Sequence, residues 1–206
     1  TQYAPQEHIV WAFIEAGDIN ANGSQATLDQ IRAEVWMALI HGADGITYFI
    51  HGKTSLSNFD DRALLRAENA DRLAGVTAIN QQIHSLASVL KTEDVEGLVT
   101  MADITGDTPV DFMVKQHEGM IYLIAVGMRD AQTTKQFTFQ GLGDLHIDVL
   151  GEDRQLLLED GKFTDTFDGY EAHVYRLNPI PEPSALMTLG IAAAMFLTRR
   201  RRSQII

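Results

Sequence analysis

Two short apolar runs separated by one helix-length stretch constrain this chain more than any other feature. Ile9-Val10-Trp11-Ala12-Phe13-Ile14 is apolar without a break, and Gly45-Ile46-Thr47-Tyr48-Phe49-Ile50 is nearly so. Runs of this length lack the alternation of a half-solvated strand and fit strands buried on both faces of a parallel sheet. Between them, Thr27 is placed to cap a helix over residues 28–41, with Leu28, Ile31, Val35, Trp36, Leu39 and Ile40 at helical spacing and Gly42 as its stop. A parallel pair cannot be closed by a hairpin and needs such a crossover. Residues 8–14 and 45–50 are therefore expected to lie side by side and parallel, with a right-handed connection. A longer helix is expected over residues 61–90, carrying Leu64, Leu65, Leu73, Val76, Ile79, Ile83, Leu86 and Leu90 and interrupted only by Gly75.

Beyond Leu90 the pattern changes. Short runs such as Val110-Asp111-Phe112-Met113-Val114, Met120 to Val126, Gln136 to Phe139, His146 to Leu150, Gln155 to Leu158 and His173 to Leu177 are separated by Gly and Asp turn signals. That spacing predicts a small antiparallel β-sandwich. The expected fold class is thus α/β followed by all-β: βα units over residues 1–92, a sandwich over 93–178, and a separate tail over 179–206. Two βα units do not close a barrel, and Thr1-Gln2-Tyr3 opens the chain with neither an initiator Met nor an export signal. The chain is read as part of a longer protein.

The tail combines Pro181-Glu182-Pro183, an apolar stretch from Ser184 to Thr198, and Arg199-Arg200-Arg201-Arg202. As a helix, that stretch would span roughly 22 Å, short for a permanent membrane span. The arginines are expected on the cytoplasmic side, leaving everything before Pro181 outside. These three parts, in this order, closely resemble the PEP-CTERM sorting signal of Gram-negative bacteria. The resemblance implies a C-terminal transmembrane helix that anchors transiently in the inner membrane, recognition by an exosortase, and a final place on the cell surface or outside the cell.

Charge narrows the partners. The formal net charge is -12, and four of the 16 basic residues are the tail arginines, so nucleic acid is excluded as an expected partner. There is no cysteine, which removes thiolate metal sites and cysteine nucleophiles. His84 and His117 lack partners at ligand spacing, so neither a metal nor a cofactor is implied.

One carboxylate asks for a chemical explanation. Glu15 directly follows an apolar run, at the strand end where parallel α/β folds build their sites, although a loop cap or an Arg partner would occupy the same position. Residues Ile9 to Glu15, Gln30 to Ala43 and Gly45 to Phe49 resemble the last two units of a (β/α)8 glycoside hydrolase of the clan with a nucleophilic glutamate at the end of the seventh strand. Glu152-Asp153-Arg154 and Gly161 to Tyr175 resemble the closing strands of the β-sandwich that often follows such barrels. The resemblance implies a retaining double displacement on a polysaccharide or oligosaccharide with Glu15 as nucleophile. It also implies an acid/base carboxyl from a fourth strand that is not in this chain.

Trp11, Asp18, Tyr48 and His51 are the candidate substrate-binding residues. Trp11 would line the barrel with Phe13 and Trp36, and Tyr48 and Phe49 stand where the clan usually has a sugar-platform Trp. Asn20 beside Asp18, and Lys53 beside His51, are weaker candidates, since polar loops serve as turns and solvated surface equally well. Arg32 and Glu34 are expected on a solvated helix face turned away from the strand ends. A rival reading is a non-catalytic carbohydrate-binding or structural envelope protein carrying the same sorting tail.

Overall fold

The computed structural model describes residues 9–17, 25–53, 59–60 and 62–178. The apolar tail, its Pro181-Glu182-Pro183 opening and Arg199 to Arg202 lie outside the described residues, as do Asp18 and Asn20. Among the described residues, no helix is long and apolar enough to cross a membrane.

The first ninety residues follow the expected alternation. Strand β1 (Trp11–Glu15) and strand β2 (Gly45–Phe49) are adjacent and parallel, in register from Trp11 against Gly45 to Glu15 against Phe49. Helix α1 (Leu28–Ile40) connects them. Its start is a capping box: the Thr27 hydroxyl accepts from the Gln30 amide at 3.1 Å, and the Gln30 side chain accepts from the Thr27 amide at 2.8 Å. Two-residue strands β3 (Gly52–Lys53) and β4 (Phe59–Asp60) pair antiparallel after β2.

The long helix expected over residues 61–90 is broken. Residues 63–65 and 67–69 form two 3-10 turns, because Asp60 accepts from the Arg62 amide and the Arg66 guanidinium while the Asn69 side chain donates to the Ala63 carbonyl. Helix α2 runs only from Ala70 to Ser85, and a second break at Leu86 precedes the short helix α3 (Ala87–Leu90). Gly75, expected as the interruption, lies inside α2. A Cβ there would meet the Leu28 methyls at 2.5–2.6 Å, so glycine permits the close crossing of α1 and α2.

Residues 99–177 form eight antiparallel strands in two sheets. These are β5 (Val99–Thr105), β6 (Val110–His117), β7 (Met120–Gly127), β8 (Thr133–Phe139), β9 (Leu145–Val149), β10 (Arg154–Leu158), β11 (Lys162–Phe167) and β12 (Ala172–Leu177). The five-stranded sheet has the order β10-β9-β12-β7-β6 and the three-stranded sheet β11-β8-β5. Phe137 fills the space between them, stacked on Phe163 at 5.1 Å and edge-on to Phe112 at 5.9 Å.

The five-stranded sheet is covered on its other face too. Met113, Ile124, Val126, Ala172 and Val174 pack against Ala33 and Trp36 of α1 and Leu86 and Val89 at the α2–α3 end. This is why β7 is apolar almost throughout and β12 is buried along nearly its whole length, rather than alternating. The seam is edged by polar contacts: Arg32 donates to the Ala172 carbonyl at 3.1 Å, and His41 lies 2.8 Å from Asp111.

A polar network closes the end of the sandwich nearest α1. Asp165 accepts both Arg154 terminal nitrogens, at 3.1 and 2.8 Å, and the Tyr175 hydroxyl at 2.8 Å. Glu152 accepts from Arg154 Nε at 2.7 Å and lies 2.7 Å from Nδ1 of the buried His173. Burial and the charge of Asp165 push the Tyr175 phenol well up, which keeps it a donor. Burial works against the Glu152 charge, but the contacts with His173 and Arg154 outweigh it and hold the carboxyl below its ordinary value of 4.5.

Two stability measurements follow. Trp36 is fully buried, and its Nε1 meets no acceptor among the described residues. Trp36→Ala is expected to cost about 3–5 kcal/mol in urea unfolding, with Trp36→Phe milder because it removes the unsatisfied donor along with part of the apolar surface. A loss below about 1 kcal/mol for Trp36→Ala would show that α1 and the sheet do not depend on this contact. Glu152 binds its proton less readily folded than unfolded, so its contribution is present above pH 4.5 and fades as pH falls below it. The acid limb of stability should be shallower in Glu152→Gln than in wild type; identical limbs would exclude Glu152 from the acid response.

Candidate functional site

Strand register decides what surrounds Glu15. In a parallel pair, opposed residues share a face, so Trp11, Phe13 and Glu15 lie on the same face as Gly45, Thr47 and Phe49. The other face carries Ala12, Ile14, Ile46 and Tyr48, which pack with Ile31 and Val35 of α1 and Val76 and Ile79 of α2. Only that helix side is buried. Trp11 and Phe13 are 65% and 68% exposed, in contrast to the two-sided burial expected from their apolar run, because no described element covers their face.

Glu15 is the last residue of β1, at the carboxyl end of the sheet, opposite Phe49. Phe13 and Phe49 are 5.9 Å apart, and the His51 ring stands edge-on to Phe49 at 4.8 Å. The ladder continues one step beyond the strands, since the Ala16 amide donates to the Phe49 carbonyl at 2.9 Å. Gly17 then passes so close to the second segment that a Cβ would fall 1.6 Å from the His51 carbonyl oxygen, so only glycine lets the two strand ends stay together here. Glu15, Phe13, Phe49 and His51 thus form one cluster at the strand ends.

The remaining candidates fall elsewhere. Trp11 shares the face of Glu15 but sits at the opposite end of β1, four residues or roughly 13 Å away, with its ring against Gly45. Tyr48 points into the helix layer, where its hydroxyl donates to Asn80 Oδ1 at 2.8 Å and burial pushes its phenol up. Phe49, not Tyr48, is the aromatic residue beside Glu15. Lys53 belongs to β3. Among the described residues, no three His, Asp or Glu side chains converge to hold a metal ion.

Glu34 corrects the sequence reading in the other direction. Rather than facing away from the strand ends, it lines a groove of about 680 Å³ with Glu15, Thr27, Gln30 and Met37, closed on the far side by Met128 and Tyr170 of the sandwich. Glu34 is exposed, yet partial withdrawal of its carboxyl from water and then the charge of Glu15 raise its pKa above the ordinary value. The spacing Thr27, Gln30, Glu34, Met37 marks one helix stripe in the sequence. Nothing local says which neighbour that stripe meets.

No family model matches the sequence, and no curated protein matches it by sequence. Its fold is similar to several solved glycoside hydrolases. One is the α-amylase from Geobacillus thermoleovorans complexed with acarbose, at a TM-score of 0.56 and 11% identity over 82% of this chain and 39% of that one. Another is an Anoxybacillus α-amylase, at 0.55 and 13% over 84% and 38%. A third is AmyP in complex with maltose, at 0.55 and 13% over 88% and 43%. The chain spans about two-fifths of the length of these proteins. At such identities the likeness is one of fold: a glycoside hydrolase-like arrangement of βα units and sandwich.

Tyr48→Phe is expected to cost about 1 kcal/mol in urea unfolding, through loss of the bond to Asn80. Unchanged stability would show that the Tyr48 hydroxyl does not tie β2 to the helix layer.

Proposed function

We propose that this chain is the C-terminal part of an exported glycoside hydrolase that cleaves a polysaccharide or oligosaccharide by retaining double displacement, with Glu15 as nucleophile. The observation that carries this reading is the position of Glu15. It ends a strand that lies parallel to its neighbour, on the face opposite the helices, beside Phe13, Phe49 and His51. The glycoside hydrolase-like fold supports it. Completed by further βα units, the open face of β1 and β2 becomes the interior of a barrel, and Glu15 then stands at its mouth, where such folds build their sites.

The chemistry asks three things of the chain. Glu15 attacks the anomeric carbon, so it has to stand clear of the helix core, as the last residue of β1 does. Phe13, Phe49 and His51 offer a partly apolar wall on which a sugar ring can rest, with an imidazole able to meet a hydroxyl. The leaving oxygen needs a proton from a second carboxyl roughly 5–5.5 Å from the nucleophile. Glu34 rises from the helix layer, not from the face that receives substrate, so the proton donor in this reading comes from a strand of the longer protein. The tail, through its Pro181-Glu182-Pro183 and Arg199 to Arg202, directs the enzyme across the inner membrane to an exosortase and on to the cell envelope.

The test uses the full-length protein and a panel of activated 2-deoxy-2-fluoro glycosides. Wild type is expected to acquire a covalent glycosyl group on Glu15, located by mass spectrometry, whereas Glu15→Gln acquires none and loses nearly all turnover. An adduct on another carboxylate, or undiminished turnover of Glu15→Gln, would remove Glu15 from the mechanism and favour the binding-protein reading.

A further inference from the structure

Arg32 is poorly used by the fold that surrounds it. It is half-buried on α1, and its guanidinium is tied by one hydrogen bond, from Nη2 to the Ala172 carbonyl at 3.1 Å. Its Nε is buried without an acceptor among the described residues, and Nη1, which is not buried, has none either. Among the same residues Arg32 makes no ion pair. A buried donor left unmade weakens a fold, and a methionine would fill the seam between α1 and the sandwich without one. Packing therefore does not account for an arginine here.

The same residue lines an open cavity of about 480 Å³ bounded by α1, α2 and the turn between β9 and β10. Asp29, Gln82 and Ser85 are polar walls beside it, and Ile79, Leu86 and Leu150 are apolar ones. An apolar lining with a few convergent polar groups, at about 300–1,000 Å³, is the usual form of a small-ligand site. Asp29 precedes Arg32 by three residues, near enough on a helix for the two to pair, yet they do not. A carboxylate and a guanidinium thus face one space and leave room between them. No lining residue is shared with the groove that holds Glu15.

We infer that this cavity is a second, non-catalytic site for a neutral saccharide, in which Arg32 donates to one ring hydroxyl and Asp29 accepts from its neighbour. The ligand class follows by elimination. An anion would meet Asp29 and, toward the sandwich, Glu152, Asp168 and Glu171, which line an adjoining cleft with both residues. A cation would meet Arg32. An apolar molecule would strip water from both groups and give neither a partner. Adjacent sugar hydroxyls present an acceptor and a donor side by side, and Gln82 and Ser85 can each serve a further hydroxyl in either sense. The apolar walls receive the C–H face of the ring. The inference does not depend on Glu15 being a nucleophile.

The test measures binding to the full-length protein by calorimetry, with maltotriose, cellotriose and xylotriose as neutral probes and trigalacturonate as the charged one. Hydrogen–deuterium exchange locates the site. At least one neutral probe should bind and slow exchange in the turn around Gly151. Arg32→Met and Asp29→Asn should each weaken that binding about tenfold or more, with the rate of fluoroglycoside labelling at Glu15 unchanged. Without sugar, Arg32→Met should unfold at the same or a higher urea concentration, because the orphaned donor is gone. Failure of every neutral probe to protect the turn, undiminished binding by Arg32→Met, or a preference for trigalacturonate would each overturn the proposal. So would a lowered urea midpoint of Arg32→Met, the mark of an arginine kept for structure. Protection of the turn in wild type alone, with Glu15 never labelled, would uphold the seam site against the enzymatic reading; a labelled Glu15 with an unprotected turn would do the reverse.

Discussion

Helix α1 is the element on which the rest of the structure depends, because three packings use it at once. Ile31 and Val35 cover the β1–β2 sheet, Leu28 fits against Gly75 of α2, and Ala33 and Trp36 press into the five-stranded sheet of the sandwich. The seam is an apolar core rather than a wet contact, and fully buried side chains lie on both sides of it. The βα part and the sandwich are thereby fixed to each other through one helix, whose first turn is in turn fixed by the Thr27–Gln30 capping box.

That arrangement has a functional consequence. The helices hold one face of β1 and β2, no described element covers Trp11 and Phe13 on the other, and the strand ends are drawn together where Gly17 passes the His51 backbone. A carboxylate at the last position of β1 is therefore held on a rigid element but keeps access to solvent. The nucleophile role proposed for Glu15 uses both: a fixed orientation toward a reacting carbon, and an open approach for it. The sandwich contributes support rather than chemistry in this picture. Its partly buried charges are internally compensated, with Arg154 shared between Glu152 and Asp165 and Tyr175 closing the pair. Burying such groups is tolerable only when each finds a partner.

Much of this was readable in the sequence, and the reason is locality. The helical spacing from Leu28 to Ile40, the Thr27 cap, the parallel neighbours on either side of a crossover helix, and the short turn-bounded strands beyond residue 98 all follow from short-range patterns and the few ways of joining such elements. Glu15 stood out for the same reason, as a charge at the end of an apolar run. The sorting role proposed for the tail rests on sequence alone. The two 3-10 turns before α2 were hidden because Asp60, Arg66 and Asn69 act through side-chain bonds to backbone and to each other, while Leu64 and Leu65 mimic the helical pattern.

Tertiary structure decided what periodicity cannot. Register set Phe49 rather than Tyr48 beside Glu15, since a one-residue change exchanges the faces of a strand. It also divided the apolar run of β1 into a buried and an open side. The nearness of Glu34 to Glu15 depends on how far α1 is rotated about its axis, and that rotation is set by Trp36 entering the sandwich more than seventy residues further along the chain. The sequence determined which residues form each element and which carboxylate ends the strand; long-range packing alone determined what that carboxylate faces.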